Sequence, residues 1–321
     1  MSQHDQMLVA LTKISEVASA AVSTACQGCQ DGASELKDVP GCVVKALPAR
    51  LQAPAAATAA RINPVNDPVR WPLVAGIVGF EIAEPQRIAV MTSKYWGPRP
   101  RRLTVSFMET TADNLKNRII QHMNAWTRTV GISFVGTTGV GDVRISRGGG
   151  GYYSYLGTDI LHIPRNRQTM NLEGFTMNTP ESEYLRVVRH ETGHTLGFPH
   201  EHMRRDIVAR IDPQKAYTWF WNTYRWDKAT VDAQVLTPLN ESTLMGTPVD
   251  QTSIMCYQLP ASITRDGRPI IGGVDINAND YSFAGRIYPR TSSAVSAPQG
   301  QASDEDWGAH EDVDVDSREY E

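Results

Sequence analysis

Cysteine is scarce in this chain. There are 4 in 321 residues: Cys26, Cys29 and Cys42 near the N-terminus, and Cys256 far downstream. That excludes a small scaffold stapled by disulfides. Long apolar runs are also lacking, and none approaches the roughly 20 residues of a membrane-spanning helix. The net charge is only −4, so no global basic field attracts nucleic acid. A standard signal peptide is missing as well. Lys13 and Glu16 interrupt the first apolar stretch, and no basic segment precedes it. The Ala-rich approach to Cys26 offers a lipoprotein-type cleavage site, but without the apolar segment such a site needs.

What remains is a globular composition, 41% hydrophobic and 21% charged, long enough for a substantial core. No internal repeat is visible. Residues 1–70 read as a leader or pro-segment, largely unstructured, because ALPARLQAPAAATAARINPVNDP is rich in Ala and Pro. Residues 291–321 read as an acidic, disordered tail. The structured part is expected over 71–290.

Within it, LTVSF at 103–107 alternates as a strand does. Leu115, Ile119, Met123, Trp126 and Val130 follow at helical spacing, with Thr111 as the expected cap. ISFV at 132–135 and DVRIS at 142–146 read as strands, a glycine run separates the latter from YYSYL, and DILHI at 159–163 is a candidate for another strand. A second helix is expected to open at Thr179-Pro180, with Glu181 and Glu183 at its positive end. The alternation predicts an α+β domain with a mixed sheet.

That second helix runs into HETGHTLGFPH, from His190 to His200. His190 and His194 stand four residues apart and share one helix face, so both can reach one ion. Gly197 accepts the left-handed conformation of a sharp exit. The returning chain then delivers His200. Three neutral imidazoles leave one tetrahedral position of Zn2+ open, the catalytic arrangement and not the structural one. Glu191 is not needed as a ligand and can move protons between water and a leaving amine. A bare H-E-x-x-H arises by chance; the extended form with Gly197 and His200 is far more specific.

These residues resemble the metzincin clan of zinc endopeptidases. SIMCY at 253–257 resembles its Met-turn, with Met255 beneath the metal and Tyr257 two residues on. Within the clan the chain is most similar to the astacin family. Glu201, His202, Arg204 and Asp206 match that family's run after the third histidine. The resemblance implies a zincin fold with a twisted mixed β-sheet and the active-site helix in an upper part ending at 197. An irregular lower part, 198–290, would hold the Met-turn and a C-terminal helix from INANDYSFAGRIYP. It further implies one Zn2+ per chain on His190, His194 and His200. Glu191 would be the general base. Tyr257 would be a fifth ligand that swings to the oxyanion, and Glu201 would contact a new N-terminus after processing. GYYSYLG resembles the edge strand whose backbone, at Tyr153, Ser154 and Tyr155, would pair with an extended substrate. Two departures stand out. Cys256 replaces the family's usual His, and Tyr152 stands where a disulfide cysteine is expected.

The function this implies is hydrolysis of peptide bonds in protein or peptide substrates. The alternatives are a catalytically silent zinc-containing binding module and a hydrolase of non-peptide amides. The compartment stays open: the family expectation is secretion, and the N-terminus shows no standard signal. The oligomeric state is not legible. Cys26, Cys29 and Cys42 read by default as part of the unstructured leader; a second metal site and a thiolate cap on the catalytic zinc are the alternatives. Cys256 reads as a buried thiol, and His122 and His162 as ordinary helix and strand residues. Trp219, Phe220, Trp221 and Tyr224 read as packing. Arg265 and Arg268 read as solvated loop residues, with an acidic-substrate preference as the alternative. RPRR at 99–102 reads as a solvated basic turn.

Overall fold

Residues 42–63, 90–91, 94–239, 244–245 and 249–290 are described by the computed structural model. Its first elements are β1 (Cys42–Lys45) and α1 (Ala49–Ile62). The unstructured reading of the leader is therefore corrected for this stretch. Ala, Leu, Arg and Gln dominate α1, all strong helix formers, and they outweigh Pro54 in its interior. Its buried Ala55, Thr58 and Ala59 let it lie close against the 3-10 turn Gly157–His162. Residues 1–41, including Cys26 and Cys29, and the expected tail lie outside the described residues.

Next come β2 (Val90–Met91), β3 (Arg101–Phe107), α2 (Asp113–Met123), β4 (Ile132–Gly136), β5 (Val143–Ser146), β6 (Tyr152–Tyr155) and β7 (Met170–Leu172). With β1, the strands β3 to β7 build a six-stranded sheet in the order β1-β6-β7-β5-β3-β4. β3 is parallel to β4 and β5, and β5 to β7, while β6 runs antiparallel to β7. The sheet is mixed, as expected. β5 is buried along its whole length, as a central parallel strand covered on both faces must be.

The active-site helix, α3, opens at Glu181–Glu183, widens into a π turn over Tyr184–Val188 and continues as Arg189–Thr195. Leu115, Ile119, Met123, Trp126 and Val130 are all buried in one core with Val187, Val188, Phe198, Met255 and Phe283. A second core gathers around α4 (Arg205–Val208), α5 (Pro213–Tyr224) and α6 (Lys228–Val231), which runs on into a π turn at Asp232–Leu236. β8 (Leu244–Met245) pairs with β2. The last helix, α7 (Ala278–Ile287), carries a full capping box between Asn277 and Asp280. Its Phe283, Ala284 and Ile287 join the first core and not the second.

Several local expectations are corrected. DILHI forms the 3-10 turn and not a strand, so His162 is not a strand residue. Thr111 donates its hydroxyl to the Glu109 carbonyl, and Ala112 stands at the cap position of α2. Thr179 accepts from the Thr176 N–H instead of capping α3. Arg101 and Arg102 of the expected basic turn open β3. Of the aromatic cluster, Trp219, Phe220 and Tyr224 pack into or against the second core, but Trp221 is 52% exposed. Among the described residues, no helix is long and apolar enough to cross a membrane.

Candidate metal centre and active site

The exit from α3 sets the site. Gly197 takes φ 92°. The Phe198 N–H bonds to the Gly193 carbonyl and the Gly197 N–H to that of His194, the two bonds of a Schellman turn. Buried side chains satisfy the carbonyls just beyond: Trp96 Nε1 donates to Thr195 and the Tyr288 hydroxyl to Leu196. A helix that ends this firmly fixes where the chain to His200 begins.

Each of the first two imidazoles is then held by a carbonyl. His190 Nδ1 lies 2.6 Å from the Ile254 oxygen and His194 Nδ1 2.7 Å from the Phe198 oxygen. An Nδ1–H in each bond leaves Nε2 as a bare lone pair facing the centre. His200 completes the group, with its Nε2 3.1 Å from that of His194. Burial holds the imidazoles neutral, the state that binds metal: it lowers His190 to about 4 and pushes His194 and His200 well below their usual value.

The fourth member of the cluster is Cys42. Its Sγ lies 3.4 Å from His194 Nε2. One ligand atom from each of Cys42, His190, His194 and His200 falls within 4.8 Å of the others. Cys26 and Cys29 lie outside the described residues, and the unstructured reading of Cys42 is corrected: it stands in an ordered strand at the three histidines. β1 brings it there. It lies parallel to β6, pairing Cys42 with Tyr152, Val43 with Tyr153, Val44 with Ser154 and Lys45 with Tyr155. The edge expected to receive substrate is thus already taken. The donor set suits zinc, and buried His190 Nε2 has no hydrogen-bond partner among the described residues, an orphan that a cation would satisfy.

Around this group, Glu191 is 1% exposed. Burial pushes its carboxyl up to about 8, opposed by the Cys42 thiol and Arg186. The Tyr257 ring stacks on His202, with centroids 4.3 Å apart at 12°, and lies 4.4 Å from the His200 ring. Burial, with Cys42 and Glu191 nearby, raises its hydroxyl well above the usual value, so it remains a donor. Met255 is fully buried. The Glu201 N–H bonds to its carbonyl, and Asp280 holds the turn by accepting from Ser253 Oγ and the Ile254 N–H. Glu201 is buried, accepts from the Asp250 N–H and is pushed up to about 8 by burial, with Arg204 opposing.

Cys256 is a buried thiol of the second core, away from the cluster. Arg265 gives its N–H to the Arg210 carbonyl. The carbonyl of Arg268 accepts from Arg210, whose guanidinium also grips Asp266. Two contributors escaped the sequence reading. Gly193 gives Met255 room, since a Cβ there would overlap the Met255 sulfur. Gln234 grips β1; nothing distinguishes a lone Gln in a helical stretch. The Gly193 signal was present, inside the motif.

Three helix-borne and loop-borne imidazoles, a buried glutamate and a Met-turn under a mixed sheet define a zinc metalloprotease of the zincin kind. The model of the astacin peptidase family matches residues 90–278. The chain belongs to the astacin family, and it is a zinc-dependent endopeptidase. β1 and α1 precede the matched region. The solved structure of myroilysin is 30% identical, with a TM-score of 0.60, over 63% of this chain and 99% of that one. A crystal structure of myroilysin is also 30% identical, over 66% and 93%, with a TM-score of 0.48. High choriolytic enzyme 1, a hatching-enzyme zinc-protease from the medaka fish Oryzias latipes, is 23% identical over 58% and 88%, with a TM-score of 0.39. Comparison with the curated proteins gives no match.

Proposed function

We propose that this chain is a latent endopeptidase whose own β1 occupies the substrate edge and whose Cys42 closes the metal site. The observation that carries this is the gathering of Cys42 with His190, His194 and His200. His190, His194 and His200 hold one zinc ion. When bound, zinc polarises the scissile carbonyl and acidifies a water. Glu191 takes the proton of the attacking water and hands it to the departing amine as the C–N bond breaks. The Tyr257 hydroxyl donates to the oxygen that gains charge. Tyr153, Ser154 and Tyr155 lend their backbone to an extended protein or peptide substrate once β1 has left. Glu201 and Met255 hold the lower half of the site together.

A closed set of one thiolate and three imidazoles is also what a silent structural site would show. Glu191 argues for the enzyme. A carboxyl buried beside the ligands costs stability, and proton transfer gives it a use that a silent site lacks. X-ray absorption at the zinc edge of the full chain tests the cap. One sulfur at about 2.3 Å with three nitrogens is expected, the sulfur vanishing in Cys42→Ala. A wild-type shell without sulfur would contradict the cap.

A further inference from the structure

We propose that Gln234 is the second wall of the substrate channel, its carboxamide holding the backbone of whichever strand lies beside β6. The proposal rests on the peptidase reading above. β1 shows the grip. The Val44 N–H donates to Gln234 Oε1 at 3.1 Å, and Gln234 Nε2 donates to the Val44 carbonyl at 3.3 Å. Val44 stands opposite Ser154 of β6. The strand is therefore held on both edges, by β6 on one side and by a single side chain on the other.

A carboxamide offers one donor and one acceptor in a plane, as a peptide group does. It closes on both polar groups of one residue, as a neighbouring strand would. The contact touches no side chain of the held strand, so it selects for extended backbone and not for sequence. An incoming peptide at the same edge presents the same two groups, and an unanswered Gln234 amide would favour it.

The clamp is tied to the catalytic group. Gln234 lies half-buried in the π turn Asp232–Leu236, beside Val235, which is buried in the second core. Its carbonyl lies 2.9 Å from His202 Nε2, and the His202 ring stacks on Tyr257. Val44 is two residues from Cys42, whose sulfur sits at the histidines. Gln234 thus acts about two residues from the point of cleavage, as a positioning residue and not as part of the chemistry.

The test uses the zinc-loaded full-length chain carrying Cys42→Ala, with and without Gln234→Ala or Gln234→Glu. Two lost hydrogen bonds predict a fall of roughly tenfold in kcat/KM on a long peptide for Gln234→Ala, mostly in KM. Gln234→Glu keeps the acceptor and falls less. Peptides with one amide replaced by an ester locate the contact: one position near the cleaved bond should slow the Gln234 chain and leave Gln234→Ala indifferent. A merely structural role would give both chains the same ester penalties. In parallel, Gln234→Ala with Cys42 intact should expose that thiol to a small alkylating reagent several-fold faster. Equal kcat/KM, or identical ester penalties at every position, overturns the clamp. If no Gln234-bearing chain hydrolyses peptides, the peptidase reading fails instead. The labelling rate then decides: faster supports the grip on the strand, unchanged overturns it.

Discussion

The sulfur of Cys42 stands 3.4 Å from Nε2 of His194, across 152 residues of sequence. Only β1 brings it there, and β1 has its place because β6 offers an unpaired edge. One strand addition therefore covers the edge proposed for substrate and places a thiol at the three histidines. Burial raises that thiol well above its usual value, with Glu191 adding to the shift. A cation at the histidines is what would draw the thiolate out.

Removing the metal should loosen both ends of this arrangement. Chelation is expected to lower Tm by several degrees, since a ligand that binds only the folded chain stabilises it by mass action. It should also speed alkylation of Cys42. Thermal melts and mass-spectrometric labelling with and without chelator measure the two effects. A Cys42 labelling rate indifferent to zinc would count against a shared site.

Gly193→Ala should harm the site without touching a ligand. A Cβ at Gly193 would collide with the Met255 sulfur and reach the Trp126 ring. Overpacking of this kind costs about 1–3 kcal/mol. It should also displace the Met-turn, whose Ile254 carbonyl orients His190. Weaker zinc binding together with a lower melting point is expected; unchanged zinc affinity would show that the turn does not position the ligand.

Arg144→Met should destabilise the wall behind β6. The buried Arg144 guanidinium donates to the carbonyls of Gly141, Asp142, Ile160, Ile163 and Arg167. This hub ties the loop after β6 to β5. Leaving its carbonyls unanswered should cost at least about 2 kcal/mol, read by denaturant unfolding. Arg144→Lys should recover little, because one ammonium cannot span the same fan of acceptors.

The site was legible because its chemistry is local in sequence. His190, Glu191, His194, Gly197 and His200 fall within eleven residues, and the gathering of the imidazoles follows from helical spacing and one glycine. β3, β4 and β5 were legible from their residues, whereas β7, with three residues, is too short to show a period. β1 and α1 were missed because Ala and Pro read as linker, while the order here comes from packing on a distant turn and a free strand edge. DILHI misled because its alternation satisfies a 3-10 turn as well as a strand. Cys42 and Gln234 meet the site only through tertiary contact, so no window of sequence around either could place it there.

The central claim is that Glu191 works at a metal site that Cys42 closes. Hydrolysis of an unfolded protein by three zinc-loaded full-length chains tests it most directly: wild type, Cys42→Ala and Glu191→Ala,Cys42→Ala, at matched zinc content. Cys42→Ala should cleave at least tenfold faster than wild type, and adding Glu191→Ala should remove that activity by orders of magnitude while zinc stays bound. A Glu191→Ala,Cys42→Ala chain as active as Cys42→Ala would contradict the assignment of the base, and a wild type as fast as Cys42→Ala would contradict the cap.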